Sequence, residues 1–161
     1  MFLKLTRNLI ITAISLITLL FDQASKQIIL NYLISNKIYV CKITNFLNFV
    51  EIWNKGISFG IFSEYNLSPI LFICLSSIIL FLMLYLMTNI NPIIQGMIIG
   101  GAIGNLVDRV IFGKVFDFID FHILDWHYPA FNLADSFIVI SVMLILISEL
   151  RSYILKNDNN S

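Results

Sequence analysis

Long apolar runs separated by polar segments dominate this chain. Four of them, Leu5–Phe21, Pro69–Met87, Ile93–Phe112 and Leu133–Ile147, are long enough to be considered as membrane spans. An α-helix rises about 1.5 Å per residue, so about 20 residues cross the roughly 30 Å hydrocarbon core of a bilayer. The second run meets this length, the first continues through Asp22, and the fourth recruits polar residues between Asn132 and Ser136. The pattern predicts one membrane domain over 1–161, with spans at 5–23, 67–88, 92–112 and 131–150 and connecting segments at 24–66 and 113–130. Ser68-Pro69 reads as an N-cap and first helical position, and Asn91-Pro92 closes one helix and opens the next. The link Thr88–Pro92 is so short that the second and third helices form an antiparallel hairpin.

The two long connections carry different patterns. Apolar and polar residues alternate over Ile38–Ile43, as in a strand, and the aromatic stretch Phe46–Trp53 is amphipathic, as suits a segment lying in the membrane interface. The loop Gly113–Ala130 carries Trp126, His127 and Tyr128, and Trp and Tyr favour the headgroup level. With four spans, both connections lie on one side of the membrane, and both termini and the Thr88–Pro92 link lie on the other. Lys4 and Arg7 before the first run also suit a cleavable leader, but no A-x-A-like site follows and three further runs do. The tail Lys156–Ser161 is polar and frayed.

Composition makes lipid the solvent. The chain is 58% hydrophobic and 12% charged, against about half and about one quarter in a soluble domain. Ten basic and ten acidic side chains cancel, which gives no reason to expect a nucleic-acid partner. Lys4, Arg7, Arg151 and Lys156 accompany the termini, whereas Lys26, Lys37, Lys42, Lys55, Arg109 and Lys114 accompany the connections. Charge therefore does not support a cytoplasmic N-terminus. Cys41 and Cys74 stand in dissimilar surroundings and read as packing or surface thiols, not a disulfide framework.

Ionisable groups near hydrocarbon are costly, by at least about 2.5 kcal/mol at a span centre, and are functional candidates by default. Asp22, Asp108, Arg109, Asp117, Asp120 and Asp135 lie at or near span ends. In the third span Gly96, Gly100, Gly104 and Asp108 follow one helical ridge, which suits close helix packing and also offers a smooth wall to a substrate backbone. Arg109 can snorkel to the headgroups while Asp108 caps or pairs locally. Asn132 or Asp135 can cap the fourth helix. Asp117 and Asp135 flank one connection, so both can return to the same interface. Two close carboxylates in a low-dielectric pocket share a proton, and one can activate water while the other polarises a carbonyl. Such chemistry requires no metal, and no cofactor is expected.

Other readings stay open at this point. His122 and His127 lie near Asp120 and Asp125, but no H-E-x-x-H spacing accompanies them. Ser25-Lys26 are adjacent and so poorly placed to act together on a helix. Cys41 has no histidine near it in sequence. Intramembrane carboxylates also serve as relays in transporters, and the glycine ridge can bind a partner helix in a non-catalytic assembly factor.

Five segments resemble the motifs of the lipoprotein signal peptidases (signal peptidase II): Asp22-Gln23-Ala24-Ser25-Lys26, Asn54-Lys55-Gly56-Ile57-Ser58-Phe59, Gly100 to Arg109, Val115-Phe116-Asp117-Phe118, and Phe131-Asn132-Leu133-Ala134-Asp135-Ser136. They occur in family order over nearly the whole chain. Phe116 departs from the smaller aliphatic residue usual there. The resemblance implies an all-α membrane fold of four transmembrane helices, with a small extracytoplasmic β cradle and an interfacial amphipathic helix. It implies an aspartic endopeptidase that cuts before the lipidated cysteine of diacylglyceryl-modified prolipoproteins, with Asp117 and Asp135 catalytic. Asp22, Lys26, Asn54, Gly56, Gly101, Gly104, Asn105, Asp108, Arg109, Asn132 and Ala134 match binding or supporting positions. The resemblance further implies a monomer in the bacterial cytoplasmic (inner) membrane with cytoplasmic termini. Its partners would be membrane lipids and cyclic-peptide inhibitors of the globomycin type.

Overall fold

The structure, a computed structural model, describes residues 2–55 and 90–158 and, between them, residues 70–71, 73–74, 77–78 and 81. It contains helices α1 (Phe2–Ser35), α2 (Pro92–Phe112) and α3 (Leu133–Asp158), with strands β1 (Val40–Lys42), β2 (Leu47–Asn54), β3 (Val115–Ile123) and β4 (Trp126–His127). Among the described residues, three helices are long and apolar enough to cross a membrane: Lys4–Ser35, Pro92–Phe112 and Leu133–Asn157. The span expected at 67–88 falls largely outside the described residues, as does Gly56. The residues described between 70 and 81 are helical.

α2 packs against both α1 and α3, and its glycines make this possible. A Cβ on Gly96 would lie 2.7 Å from the Ile14 Cβ, and one on Gly100 would lie 2.5 Å from the Ser15 carbonyl oxygen. One step round the helix, a Cβ on Gly101 would lie 2.7 Å from the Ala134 carbonyl oxygen of α3. The Gly96, Gly100 and Gly104 ridge is therefore filled by α1, and the open wall expected for a substrate is absent there. Small residues bring two backbones together where lipid supplies no hydrophobic drive between helices. α2 starts at Pro92, with the Asn91 side chain accepting from the Ile93 N–H. It ends at Gly113, whose left-handed φ of 70° lets its N–H reach the Arg109 carbonyl. The outward faces stay apolar: Leu9, Leu16 and Leu20 on α1 and Val139, Met143 and Leu146 on α3 are exposed.

The four strands form one antiparallel sheet in the order β1-β2-β3-β4. β2 comes from the first connection and β3 from the last, so their pairing requires both connections to lie on one side. Arg7 meets the opposite end, donating to the Ile90 carbonyl at 2.8 Å and to Gln95 Oε1 at 2.9 Å.

Three expectations change. Phe46–Trp53 is not a separate amphipathic stretch beside a strand but is chiefly a strand itself, β2. Its register pairs Asn48 with Asp120, Ile52 with Asp117 and Trp53 with Phe116, with an irregularity between Phe49 and Ile52. The expected loop 113–130 is largely β3 and β4. Both stretches are rich in Phe, Val and Ile, and each supplies the ladder partner the other lacks. The first helix also runs on to Ser35. Leu33, on that extension, is fully buried against Phe116 and Phe118, with Ile29, Leu30, Phe49 and Trp53 packed around them. The extension is the floor on which the sheet rests, and it puts Lys26 on a helix.

Candidate active site

The chemistry gathers where the sheet meets the ends of α2 and α3. α1 brings Asp22, Gln23 and Lys26 to one end of the glycine ridge. Asp22 is fully buried, and its Oδ1 accepts the Ala134 N–H at 2.9 Å. Lys26 Nζ lies 2.8 Å from Asp22 Oδ2 and 3.0 Å from Asp108 Oδ2, both buried. Gln23 Nε2 donates to Asp22, to the Gly104 carbonyl and to Asp108 at 2.9–3.2 Å. Asp108 Oδ2 also accepts the Phe116 N–H at 3.1 Å, joining α2 to the start of β3. Gly104 is required here, since a Cβ would lie 2.5 Å from Asp22 Oδ2.

Asn105 carries this network onward. Its Oδ1 accepts from Lys26 Nζ at 3.1 Å and from Asn132 Nδ2 at 3.0 Å, and its Nδ2 donates to Asp135 Oδ1 at 2.8 Å. These partners fix which way the amide points. Asn132 performs two tasks. Its Oδ1 accepts the Asp135 N–H at 3.0 Å while Asp135 Oδ2 accepts the Asn132 N–H at 3.3 Å, a reciprocal cap on α3. Its Nδ2 meanwhile donates to Asp117 Oδ1 at 2.7 Å. Asn132 thus caps α3 with one end of its amide and reaches Asp117 with the other.

Asp117 projects from β3, buried, and its Oδ2 accepts from Asn54 Nδ2 at 3.1 Å. Burial pushes its carboxyl up, the neighbouring Asp135 carboxylate adds to this, and bonds from Asn54 and Asn132 oppose it, leaving a pKa of about 7. Arg109 does not snorkel. It is buried, donates from Nη1 to the Asn105 carbonyl at 3.2 Å, and lies within electrostatic reach of Asp135, Asp117 and Asp108. A cavity of about 250 Å³ opens beside Asp135, lined also by Tyr128, Phe131, Ser136, Val139 and Ile140.

Asp120 stands apart. Three residues beyond Asp117, it occupies the opposite face of the strand. It accepts from Asn48 Nδ2 at 2.9 Å and pairs with His127 Nδ1 at 2.8 Å. Burial raises its carboxyl, but those bonds and the nearby His127 and His122 outweigh this and hold it below the usual range. Among the described residues, no three His, Cys, Asp or Glu side chains are gathered as metal ligands. Ser25 Oγ donates to the Asp22 carbonyl while Lys26 turns to the two carboxylates, so the pair forms no Ser–Lys unit. Cys41 lies against Tyr32, 4.0 Å from its hydroxyl. Gly101 and Ala134 meet where α2 packs on α3. Residue-by-residue reading passed over Gln23, whose only signal was its place inside a motif already quoted for Asp22 and Lys26.

The chain as a whole is similar to known proteins over most of its length. The family model described as signal peptidase (SPase) II matches residues 14–151. A lipoprotein signal peptidase of Anaplasma phagocytophilum (strain HZ) is 40% identical over 143 residues, covering 84% of this chain and 88% of that protein. One of Burkholderia vietnamiensis is 38% identical over 149 residues, covering 86% of each. A bacterial membrane enzyme solved by the in meso method at 2.3 Å resolution superposes with a TM-score of 0.70 at 30% identity, over 88% of this chain and 87% of that one.

Proposed function

Because the chain belongs to the signal peptidase II family, we propose that this multi-pass membrane peptidase removes the signal peptide from diacylglyceryl-modified prolipoproteins, cutting before the lipidated cysteine, with Asp117 and Asp135 activating the water. The observation that carries this reading is the bridge of amides. Asn132 donates to the Asp117 carboxyl from its side-chain amide and to the Asp135 carboxyl from its backbone N–H, and the Asn105 amide bonds to Asp135 and to Asn132. Together they tie buried Asp117 to half-buried Asp135.

The proposed reaction needs only that pair. Close to neutral pH the pair retains one proton, in keeping with an Asp117 pKa of about 7. The ionised carboxylate takes a proton from water as its oxygen attacks the scissile carbonyl carbon. The protonated carboxyl donates to the carbonyl oxygen, which becomes a hydroxyl in the tetrahedral intermediate. Collapse of the intermediate breaks the C–N bond: the carboxyl that took the proton from water passes it to the departing nitrogen, and the other carboxylate takes one back from a hydroxyl of the intermediate, restoring the pair. Asn54, Asn105 and Asn132 hold the carboxylate oxygens in place meanwhile, so little reorganisation is needed during reaction. Helical amides are already hydrogen-bonded, so the substrate must be extended at the cleavage point. A lipid-anchored substrate presents that point at the membrane interface, and the cavity beside Asp135 borders α3 residues at that level. We assign the protein to the bacterial cytoplasmic membrane, with the site near its outer face. Cyclic peptides of the globomycin type would compete for this site.

The test is cleavage of a purified lipid-modified prolipoprotein by Asp117→Asn and Asp135→Asn enzymes in proteoliposomes. Each should lose activity by about 10³-fold, the scale of lost acid–base catalysis, while unmodified prolipoprotein stays uncut by any form. Full activity in either variant would remove that residue from the role.

A further inference from the structure

The hairpin that closes the sheet exposes apolar side chains where folding does not ask for them. β3 and β4 join through Leu124-Asp125, and Leu124 has a φ of 54°. Glycine is the ordinary occupant of that left-handed region, and another residue is held there under strain. Yet Leu124 is 87% exposed, with Ile123 beside it at 70% and Trp126 at 63%. A two-residue turn in water normally carries Gly, Asn or Asp. A leucine kept there despite the strain points to a use for its side chain.

The apolar surface continues beyond the tip. Tyr128 and Phe131, on the arm returning to α3, line the 250 Å³ cavity together with Val139 and Ile140. The same two rings line an adjoining apolar cavity of about 560 Å³ together with Ile123 and Trp126. Val139 and Ile140 are exposed on α3, and they lie roughly 10 Å along it at about 1.5 Å per residue. One apolar strip therefore runs from the lipid-facing flank of a membrane-spanning helix to the hairpin tip, ending on Trp and Tyr, side chains that favour the headgroup level.

We infer that Ile123, Leu124 and Trp126 form a foot that docks the sheet onto the bilayer at the boundary between headgroups and acyl chains. Continuity with the lipid-facing flank of α3 selects lipid as the occupant. The foot is braced from behind: His127, next to Trp126, is paired with buried Asp120 at 2.8 Å, and Asp120 is bonded to Asn48 of β2. β3 carries Asp117 near its first residue and the foot at its last. Docking would thereby set the depth of that carboxylate, a consequence that rests on the function proposed above.

The experiment reads docking directly. The full chain is reconstituted in phosphatidylcholine–phosphatidylglycerol vesicles containing lipids brominated at known depths, and the Trp126 contribution is taken as the difference from Trp126→Phe. Bromines near the carbonyl end should quench it at least about twofold more than bromines at the chain end. Leu124→Gly removes strain and side chain together. It should keep or raise the melting temperature while lowering the shallow quenching by about half, and Leu124→Asp should lower it further. Accessibility of Trp126 to aqueous iodide with no quenching by brominated lipid would overturn the inference. So would quenching that both Leu124 variants leave unchanged, quenching that grows with protein density as a second copy would cause, or burial that appears only when lipidated substrate is added. None of these readouts requires cleavage, so failure of the peptidase assignment is separable from failure of the foot.

Discussion

Two pairs of aspartates in this protein share one network, yet they are held in opposite ways. Asp22 and Asp108 grip the same ammonium, that of Lys26, at 2.8 and 3.0 Å. Asp117 and Asp135 are held by amides from Asn54, Asn105 and Asn132, and among the described residues neither forms an ion pair. A cation beside a buried carboxylate fixes its charge, because removing either partner strands the other in low dielectric. An amide positions an oxygen without cancelling its charge. Neighbouring carboxylates held by amides, with no cation in ion-pair contact, remain costly to ionise together. The first pair is therefore bound to a cation, and the second to neutral amides.

That contrast can be broken most forcefully at Lys26. Lys26→Met leaves two uncompensated carboxylates and should destabilise the protein by about 3–5 kcal/mol, seen as a large fall in melting temperature in lipid or detergent. Asp117→Asn removes a carboxyl of the other pair and should leave the melting temperature near or above that of the unaltered protein. Equal loss in both variants would show the two pairs to be held alike. Gly104→Ala is a gentler disturbance of the first pair. Its Cβ would meet Asp22 Oδ2 at 2.5 Å, and the enforced shift should cost about 1–3 kcal/mol without altering the pH at which the second pair titrates.

The pH dependence sharpens the comparison further. In the unfolded chain Asp117 loses its proton near 3.8, and in the folded protein at about 7. Folding then retains a proton that unfolding releases, so this group's contribution to stability falls as pH rises from about 4 to about 7. Thermal melts across that range should show the decline, and Asp117→Asn should flatten it. Cleavage should fall on the alkaline side with an apparent pKa of about 7, as the pair gives up its shared proton. The smallest effect is expected at Asn54. Its bond favours the ionised form of Asp117, so Asn54→Ala should move that alkaline limb to higher pH by roughly half a unit, the scale of one hydrogen bond. A limb that stays put or moves to lower pH would contradict the placement of Asn54 on this carboxylate.

Much of this was legible in the sequence where the signal was periodic or local. The apolar runs announced α1, α2 and α3, the four-residue glycine steps announced a close helix contact, and Asn91-Pro92 and Gly113 mark the ends of α2. What escaped was non-local. Phe46–Trp53 looked amphipathic in isolation because its partner strand lies more than sixty residues further on. The stretch 24–35 looked like a connection because Leu33 becomes core only once Phe116 and Phe118 are laid over it. Arg109 looked free to reach the headgroups until its surroundings buried it.

By itself, the sequence determined that this protein lives in lipid, that its polar groups cluster on one side, and that its motifs match one peptidase family. Those properties follow from helix length, transfer cost and residue order, which are fixed along the chain. Only the tertiary structure decided which carboxylate received a cation and which an amide. Asp22 meets the Ala134 N–H from 112 residues away, and Lys26 meets Asn105 from 79. Hydrogen bonds and ion pairs act within a few ångströms and with defined direction, so their pairing is set by packing. Among the described residues, helices brought together along small residues, and one sheet laid across their ends, turned a row of aspartates into two pairs with different partners.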